Sequence, residues 1–442
     1  MNDSNKSCAL IIGQSIEGVK ISSVGGRIST TEGTVFDVLE KSQDNEKNIK
    51  LISKVLNSGH KTIIEHHNFN IAFNNVSVVV EQFMIEFRLA SFTVKSRRYV
   101  DFSNAGYYMP KIEDAKKRKF FEKTTQNLFS YYKKALELGI SKEDSRFFLP
   151  YNFKSNFICT CNARELLHII CTMIYGRGKV YDEILDLGLQ LKSQLEQIYP
   201  DLVEKEKFKY QKYDNINLTP FSLNQQEISY KTGDIELLSH SNDVEKTLLS
   251  ASKMLGIEEF DLKTILSDGK LQRILEQITF TFKINNISLP ILTHFTRHRM
   301  HSLIVPNIYT ILNRNTYLSV PSFEENIEAK KLYEKAIKET TSAIEKLKDL
   351  GPYILSYLII SGRTIDIMTT INARELLWLF KLRTCDRAQW EIRTVTKRML
   401  KALKQLYPKI FENFGPSCLV DGYCPEGKLT CGKMKTPQDL DV

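Results

Sequence analysis

The chain has 442 residues, of which 42% are apolar, and carries a formal charge of +9. That length exceeds one ordinary domain and suggests two. No run of 18 apolar residues occurs, which argues against a membrane-spanning helix. Eight cysteines in so long a chain do not make a disulfide scaffold.

The opening stretch, Met1 to Ser7, is polar and lacks the basic-then-apolar pattern of a signal peptide, so a cytoplasmic protein is expected. Phe69-Asn70-Ile71-Ala72-Phe73 alternates with period two and reads as a strand. Asn74-Asn75 is expected to turn the chain, and Ser77 to cap a following helix. A long charged helix follows over 116–138. Its run Lys116-Lys117-Arg118-Lys119 reads as a solvated face, with no interleaved aromatics to suggest nucleic acid. After Asn162-Ala163-Arg164 a last helix runs toward Tyr199-Pro200. Cys8, Cys159, Cys161, Cys171 and Cys385 lie in apolar or mixed segments and read as small buried groups.

The same order then returns. Asn162-Ala163-Arg164-Glu165-Leu166-Leu167 recurs as Asn372-Ala373-Arg374-Glu375-Leu376-Leu377, an offset of 372 − 162 = 210. Asn74-Asn75-Val76-Ser77 recurs as Asn285-Asn286-Ile287-Ser288, an offset of 211, and Tyr199-Pro200 as Tyr407-Pro408, an offset of 208. Ile278–Phe282 is the second alternating strand, and Ser288 a second cap. Pro290 suits the first turn of a helix from Leu289, and a second long charged helix spans 327–350. We place repeat one at 15–205, a polar linker at 206–235, repeat two at 236–412 and a Cys-containing tail at 413–442. Mixed elements without βαβ alternation predict an α+β fold built in tandem, each copy an antiparallel sheet with packed helices.

Arg297-His298-Arg299 falls at the predicted end of the helix from Leu289. Cations there complement the helix dipole, and the same donors suit phosphate or a polar ring. The spacing on to Ser302 resembles the signature of flavin-dependent thymidylate synthases: Arg-His-Arg, two residues, Ser, four residues, Ser, one residue, Arg. Repeat two has the first half only, with Asn307 and Tyr309 where the closing pair should stand. Repeat one has Glu86 and Phe87 for the first Arg and His, but keeps the closing pair as Ser96 and Arg98. Each repeat retains the half that the other lost.

The resemblance assigns further residues. The arginine before Leu-Pro is Arg146 in repeat one and Ser356 in repeat two. The uracil-contacting arginine is Arg383 in repeat two, ahead of Ala388-Gln389-Trp390-Glu391-Ile392, and Met173 in repeat one, which then reads Gly176-Arg177-Gly178. The resemblance gives Arg297, His298, Arg299, Ser29, His60, Asn162, Arg164, Asn372 and Arg374 to FAD. It gives Ser96, Arg98, Arg146, Arg297, His294 and Arg383 to the nucleotide. Ser252 is a loose match to Ser29, and Lys270 stands for His60 while Glu276 persists. Taken singly, Arg164, Arg374, Arg98 and His60 read equally well as surface or turn residues. The ordered set across both repeats carries the resemblance.

What it implies is reductive methylation of dUMP to dTMP, with NADPH as reductant and methylenetetrahydrofolate as one-carbon donor. The active site would be composed from both repeats, in a homodimer equivalent to the family's tetramer. Arg383 and Ser96 would act at the reacting nucleotide, Ser96 as a binding hydroxyl since no neighbouring base is evident. His294 stands where the family has Gln, and His301 where it has a small residue. A related pyrimidine nucleotide is therefore an alternative substrate, and a catalytically inactive flavin- or nucleotide-binding protein an alternative class. Cys418, Cys424 and Cys431 are weak zinc candidates, since their spacing is not the paired form.

Overall fold

The computed structural model describes residues 6–210 and 227–440. It divides into two compact units: Met1–Leu223 with Lys331–Ile360, and Asn224–Lys330 with Ser361–Val442. Part of the second repeat in sequence thus belongs to the first unit in space. Among the described residues no helix is long and apolar enough to cross a membrane.

In the first unit β1 (Cys8–Gln14) leads through α1 (Gly18–Ile28) to β2 (Asn68–Ser77) and the short α2 (Val78–Met84). Then come β3 (Ser91–Val94), the long α3 (Ala115–Glu137), β4 (Lys154–Asn162), α4 (Ala163–Ile174), α5 (Asp182–Glu196) and α6 (Leu202–Tyr210). The sheet order is β1-β2-β4-β3, all antiparallel. In the second unit β5 (Ser229–Lys231) pairs in parallel with β9 (Thr316–Leu318). The main sheet there, ordered β6-β7-β10-β8, comprises β6 (Asp234–His240), β7 (Thr279–Ser288), β8 (His301–Ile304) and β10 (Thr364–Asn372). Its helices include α7 (Val244–Met254), α8 (Ala373–Arg383) and α9 (Trp390–Leu406). The two sheets have the same topology, so the expected α+β architecture is present twice.

The alternating strands fold as their period requires. Phe69, Ile71 and Phe73 on β2, and Phe280, Phe282 and Ile284 on β7, are all at most 1% exposed. Each such side chain contributes on the order of 1.5–3 kcal/mol of burial.

The Asn-Asn pair does not turn the chain out of the strand. Asn75 (φ 53) and Asn286 (φ 54) adopt the left-handed conformation inside the strand. The register shifts there by a bulge, between Phe73 and Val76 on β2 and opposite Ile365/Ile367 on β10. Asn tolerates that conformation better than most residues. Each bulge is pinned alike: Asn75 N donates to Asn156 Oδ1 and Asn286 N to Asp366 Oδ1, both at 2.8 Å.

Ser77 accepts from Val80 N as a helix cap. Ser288 does not cap; its hydroxyl donates to Glu391 Oε2 at 2.5 Å. Pro290 does sit in the first turn, of a 3₁₀ helix.

The expected final helix is two helices in each unit. In the first unit Gly178 N closes back on Thr172 O at 3.0 Å, ending α4. A Cβ on Gly178 would lie 2.8 Å from Met173 Cα, so only glycine fits this reversal. In the second, Gln389 starts α9 by accepting from Ile392 N at 3.1 Å. The segment read as a linker carries α6 through Tyr210 and β5; residues 211–226 lie outside the described residues.

A repeated buried carboxylate ties α5 and α9 to the sheets. Glu183 accepts from Ser77 N at 2.8 Å, and Glu391 from Ser288 N at 2.6 Å. Residues 331–360 complete the first unit. Tyr151 N and Asn152 N donate to Ile359 O and Tyr357 O at 2.9 and 3.0 Å. Glu339 accepts from Asn127 and from Tyr131, each at 2.5 Å.

Candidate functional site

The Asn-Ala-Arg motif does the same structural work twice. Asn162 Oδ1 accepts from Glu165 N at 2.9 Å and Asn372 Oδ1 from Glu375 N at 2.8 Å, so each Asn caps its helix. That fixes the next arginine, which pairs with a glutamate from the segment leading into β2 or β7. Arg164 meets Glu65 and Arg374 meets Glu276, each at 2.5 Å. The amide nitrogen of each capping Asn and the flank of each Arg–Glu pair are the groups these motifs can present to a ligand.

In the first unit Glu65, Asn162 and Arg164 line a cavity of about 530 Å³ with Lys61, Leu89, Glu165, Leu167, His168 and Tyr210. That is the size of an ordinary small-molecule pocket. His168 Nδ1 and Tyr210 OH lie 2.7 Å apart. Burial, then the cations Arg177 and Lys61, hold the His168 imidazole below its usual range.

The positions of Glu86 and Phe87 are filled from within. Glu86, in place of the first signature Arg, pairs with Arg177 at 3.0 Å. Burial pushes its carboxyl up and Arg177 opposes that. The Arg177 guanidinium lies 4.3 Å from the Phe83 ring centroid, and Phe87 packs edge-on to His168 at 5.5 Å.

Ser96 and Arg98 stand just past β3. Ser96 Oγ accepts from Arg98 N at 3.3 Å, and Arg98 pairs with Glu143. The residue between them turns inward: Arg97 is 6% exposed and meets buried Glu81 at 2.5 Å. Arg146 is buried at the head of a 3₁₀ turn, 146–148. Ser29 is exposed at the end of α1, and His60 is exposed after Gly59, whose φ is 89°. Neither Ser29 nor His60, nor Ser96, Arg98 or Arg146, lines the cavity at Arg164.

In the second unit a 3₁₀ turn and the four-residue helix Leu292–Phe295 end just before Arg297. Arg297 and Arg299 are exposed, whereas His294 and His298 are buried. His298 Nδ1 lies 3.0 Å from Glu375 Oε1. Burial is the main cause that lowers the His298 pKa; Glu375 pulls it up, and Arg383 and Arg297 push it down. So Arg297, His298, Arg383 and the Asn372–Glu375 cap are brought together. His301 Nδ1 meets Thr369 Oγ1 at 2.7 Å across β8 and β10.

Ser356, the serine at the Arg146 position, is buried and donates to Pro352 O at 2.8 Å. Ser252 is not the counterpart of Ser29. Counted from the left-handed residues Glu17 and Asp243 that open α1 and α7, it stands at the place of Gly26. Among the described residues no three His, Cys, Asp or Glu side chains gather as a metal site, Cys418, Cys424 and Cys431 included.

Sequence reasoning gave no role to Glu375, to the Glu81–Arg97 pair, to His67 or to the Glu183/Glu391 anchors. The last had a signal: Glu183-Ile184 and Glu391-Ile392 recur at the offset of 208.

Two tandem α+β domains of one sheet topology, each with an Asn-Ala-Arg helix cap, define the class, and comparison with known proteins gives the family. The thymidylate synthase complementing protein family matches residues 12–201 and again 226–409. A flavin-dependent thymidylate synthase of Geobacter sulfurreducens is 34% identical over 218 residues, covering 45% of this chain and 94% of that protein. One of Clostridium tetani is 29% identical over 234 residues, covering 45% and 93%. Among solved structures, thymidylate synthase X of Helicobacter pylori with FAD and dUMP matches at 19% identity and a TM-score of 0.36, over 44% of this chain and 99% of that one. The chain belongs to the thymidylate synthase complementing protein family.

Proposed function

We propose that this protein methylates dUMP to dTMP reductively, with its site residues divided between the repeats. Membership of the family makes the chain an FAD-dependent enzyme of the thymidylate synthase class. The observation that carries the finer reading is the complementary retention. The second unit keeps Arg297, His298, Arg299 and Arg383, with Arg297 and Arg383 acting on His298, whereas Glu86 and Phe87 replace the first pair in repeat one. The first unit holds Ser96, Arg98 and Arg146.

The donor set suits flavin. Arg297 and Arg299 are exposed arginines, and His298 Nε2 is a buried nitrogen with no hydrogen-bonding partner among the described residues. With Asn162, Arg164, Asn372, Arg374, Ser29 and His60, they would hold FAD. When bound, the flavin supplies the redox and carbon-relay chemistry, with NADPH and methylenetetrahydrofolate as co-substrates. The protein's own part is to bind and orient. Arg98 and Arg146 hold the nucleotide phosphate with the Ser96 hydroxyl. Arg383 lies by the pyrimidine and stabilises charge that develops on it. His294 stands at the nucleotide.

The working assembly is a homodimer with one live site per chain, in place of a four-chain assembly. Its free cysteines suit a reducing, cytoplasmic setting.

The test is anaerobic reduction of the FAD-loaded protein by NADPH, followed by flavin absorbance with and without dUMP. Bleaching accelerated by dUMP is expected. Flavin that bleaches identically with and without dUMP refutes dUMP as the substrate, and UMP is then added in its place. Failure to hold flavin refutes the reading altogether.

A further inference from the structure

His298 is 5% exposed, and one of its ring nitrogens, Nδ1, is 3.0 Å from Glu375 Oε1. A carboxylate can only accept, so this contact requires the proton on Nδ1. A neutral imidazole has one N–H, which leaves Nε2 with a bare lone pair. Nε2 is buried and has no hydrogen-bonding partner among the described residues. Buried polar atoms of native proteins nearly always find a partner, so an unmatched one in a ligand site points to the ligand.

The surroundings keep the ring neutral. Burial disfavours the imidazolium, and Arg383 and Arg297 oppose it further against the single favourable charge of Glu375. The flanking arginines can only donate. His298 is thus an acceptor set among donors.

We propose that Glu375 is a positioning residue: it locks His298 in the Nδ1–H tautomer, so that Nε2 accepts a hydrogen bond from a ligand N–H. The ligand chemistry this selects is a cyclic imide N–H, which flavin and uracil rings share. The first repeat supports the assignment by contrast. There Phe87 stands for His298, and the matching Glu165 has no imidazole to orient; burial pushes its carboxyl up. The helix cap does not depend on the Glu375 side chain, because Asn372 receives its backbone N–H. Glu375→Ala therefore removes the orienting carboxylate and spares the cap.

The proposal rests on the flavin-nucleotide reading of this site, and its test separates the two. Histidine ¹⁵N spectra of the full chain, with His298 assigned by loss of its signals in His298→Asn, report the tautomer without any ligand. We expect Nδ1–H in the unmodified protein and in Glu375→Gln, whose amide oxygen still accepts, and mixed tautomers in Glu375→Ala. Affinity for whichever of FAD and dUMP donates that N–H should fall about tenfold or more in Glu375→Ala and recover in Glu375→Gln, as for loss of a charge-assisted bond. FAD and dUMP are then added separately to the unmodified protein. The one that shifts the Nε2 resonance is the source of the imide N–H. An Nε2–H tautomer in the unmodified protein, or an Ala variant with unchanged tautomer and unchanged affinity for both FAD and dUMP, overturns the proposal. If the unmodified protein shows the Nδ1–H tautomer but binds no FAD, the flavin reading falls and the role of Glu375 in setting the tautomer stands.

Discussion

The Arg97–Glu81 pair offers a quantitative test of the loop that carries Ser96 and Arg98. Both side chains are desolvated, at 6% and 1% exposure, and they meet at 2.5 Å. Arg97 also lies 5.9 Å from the Phe153 ring centroid. The second carboxylate oxygen, Glu81 Oε2, has no hydrogen-bonding partner among the described residues. Removing one member leaves a buried, uncompensated charge, which costs about 3–5 kcal/mol. Removing both leaves an apolar site of similar volume, where replacement is often neutral or stabilising. Glu81→Leu and Arg97→Met should each lower stability by about 3–5 kcal/mol, and the double variant should return to within about 1 kcal/mol of the starting protein. With a urea dependence of roughly 1–3 kcal/mol per molar, the single variants move the midpoint by about 1 M or more. Circular dichroism is the assay, because the chain's two tryptophans, Trp378 and Trp390, both belong to the second unit. Additive single effects, or shifts below roughly 0.3 M, would refute the buried pair as the anchor.

Other outcomes follow from the same geometry. Arg146→Ala should weaken dUMP binding by about tenfold or more, read by calorimetry, for the loss of a charged donor in the proposed phosphate site. His67 is buried between Tyr199 and Gln14, at 2.8 and 3.0 Å, and burial lowers its pKa to about 4. A depressed histidine contributes stability that is present above its unfolded value near 6.5 and lost as pH falls toward 4; His67→Gln should flatten that part of the pH–stability curve. Both Asn286→Ala and Asn286→Gly lose the bond from Arg314 to Asn286 Oδ1, and at the left-handed φ of 54° Ala should cost about 1 kcal/mol more than Gly, measured by urea unfolding. Flavin absorbance against protein concentration should give one FAD per chain, since Glu86 and Arg177 close the matching place in repeat one; two per chain would contradict the division of labour.

The parts of the fold that were legible are those where local period decides. Phe69, Ile71 and Phe73 alternate, and the strand they form has one buried face. The long charged helix was readable over 116–138, and α3 spans Ala115–Glu137. Local signals failed where two conformations share one composition. Asn74-Asn75 serves a turn or a bulge equally well, and only the pairing with β4 selects the bulge. The break between α4 and α5 hid in Gly176-Arg177-Gly178, read as a lost motif rather than a chain reversal. Pairs such as His298–Glu375 and Arg97–Glu81 were invisible for another reason. A carboxylate's partner is chosen by tertiary packing, and nothing in a glutamate's neighbours in sequence names it.

Residues 331–360 lie far along the sequence yet complete the first unit. They supply the Tyr357 hydroxyl to buried Glu183 at 3.4 Å and the Glu339 carboxylate to the long helix α3. During synthesis the first unit therefore emerges unfinished, and waits through more than a hundred further residues for its last pieces. At roughly 5–20 residues per second this delay is of order ten seconds. A fragment ending at the linker should be poorly folded and prone to associate, and adding a peptide covering 331–360 should restore it.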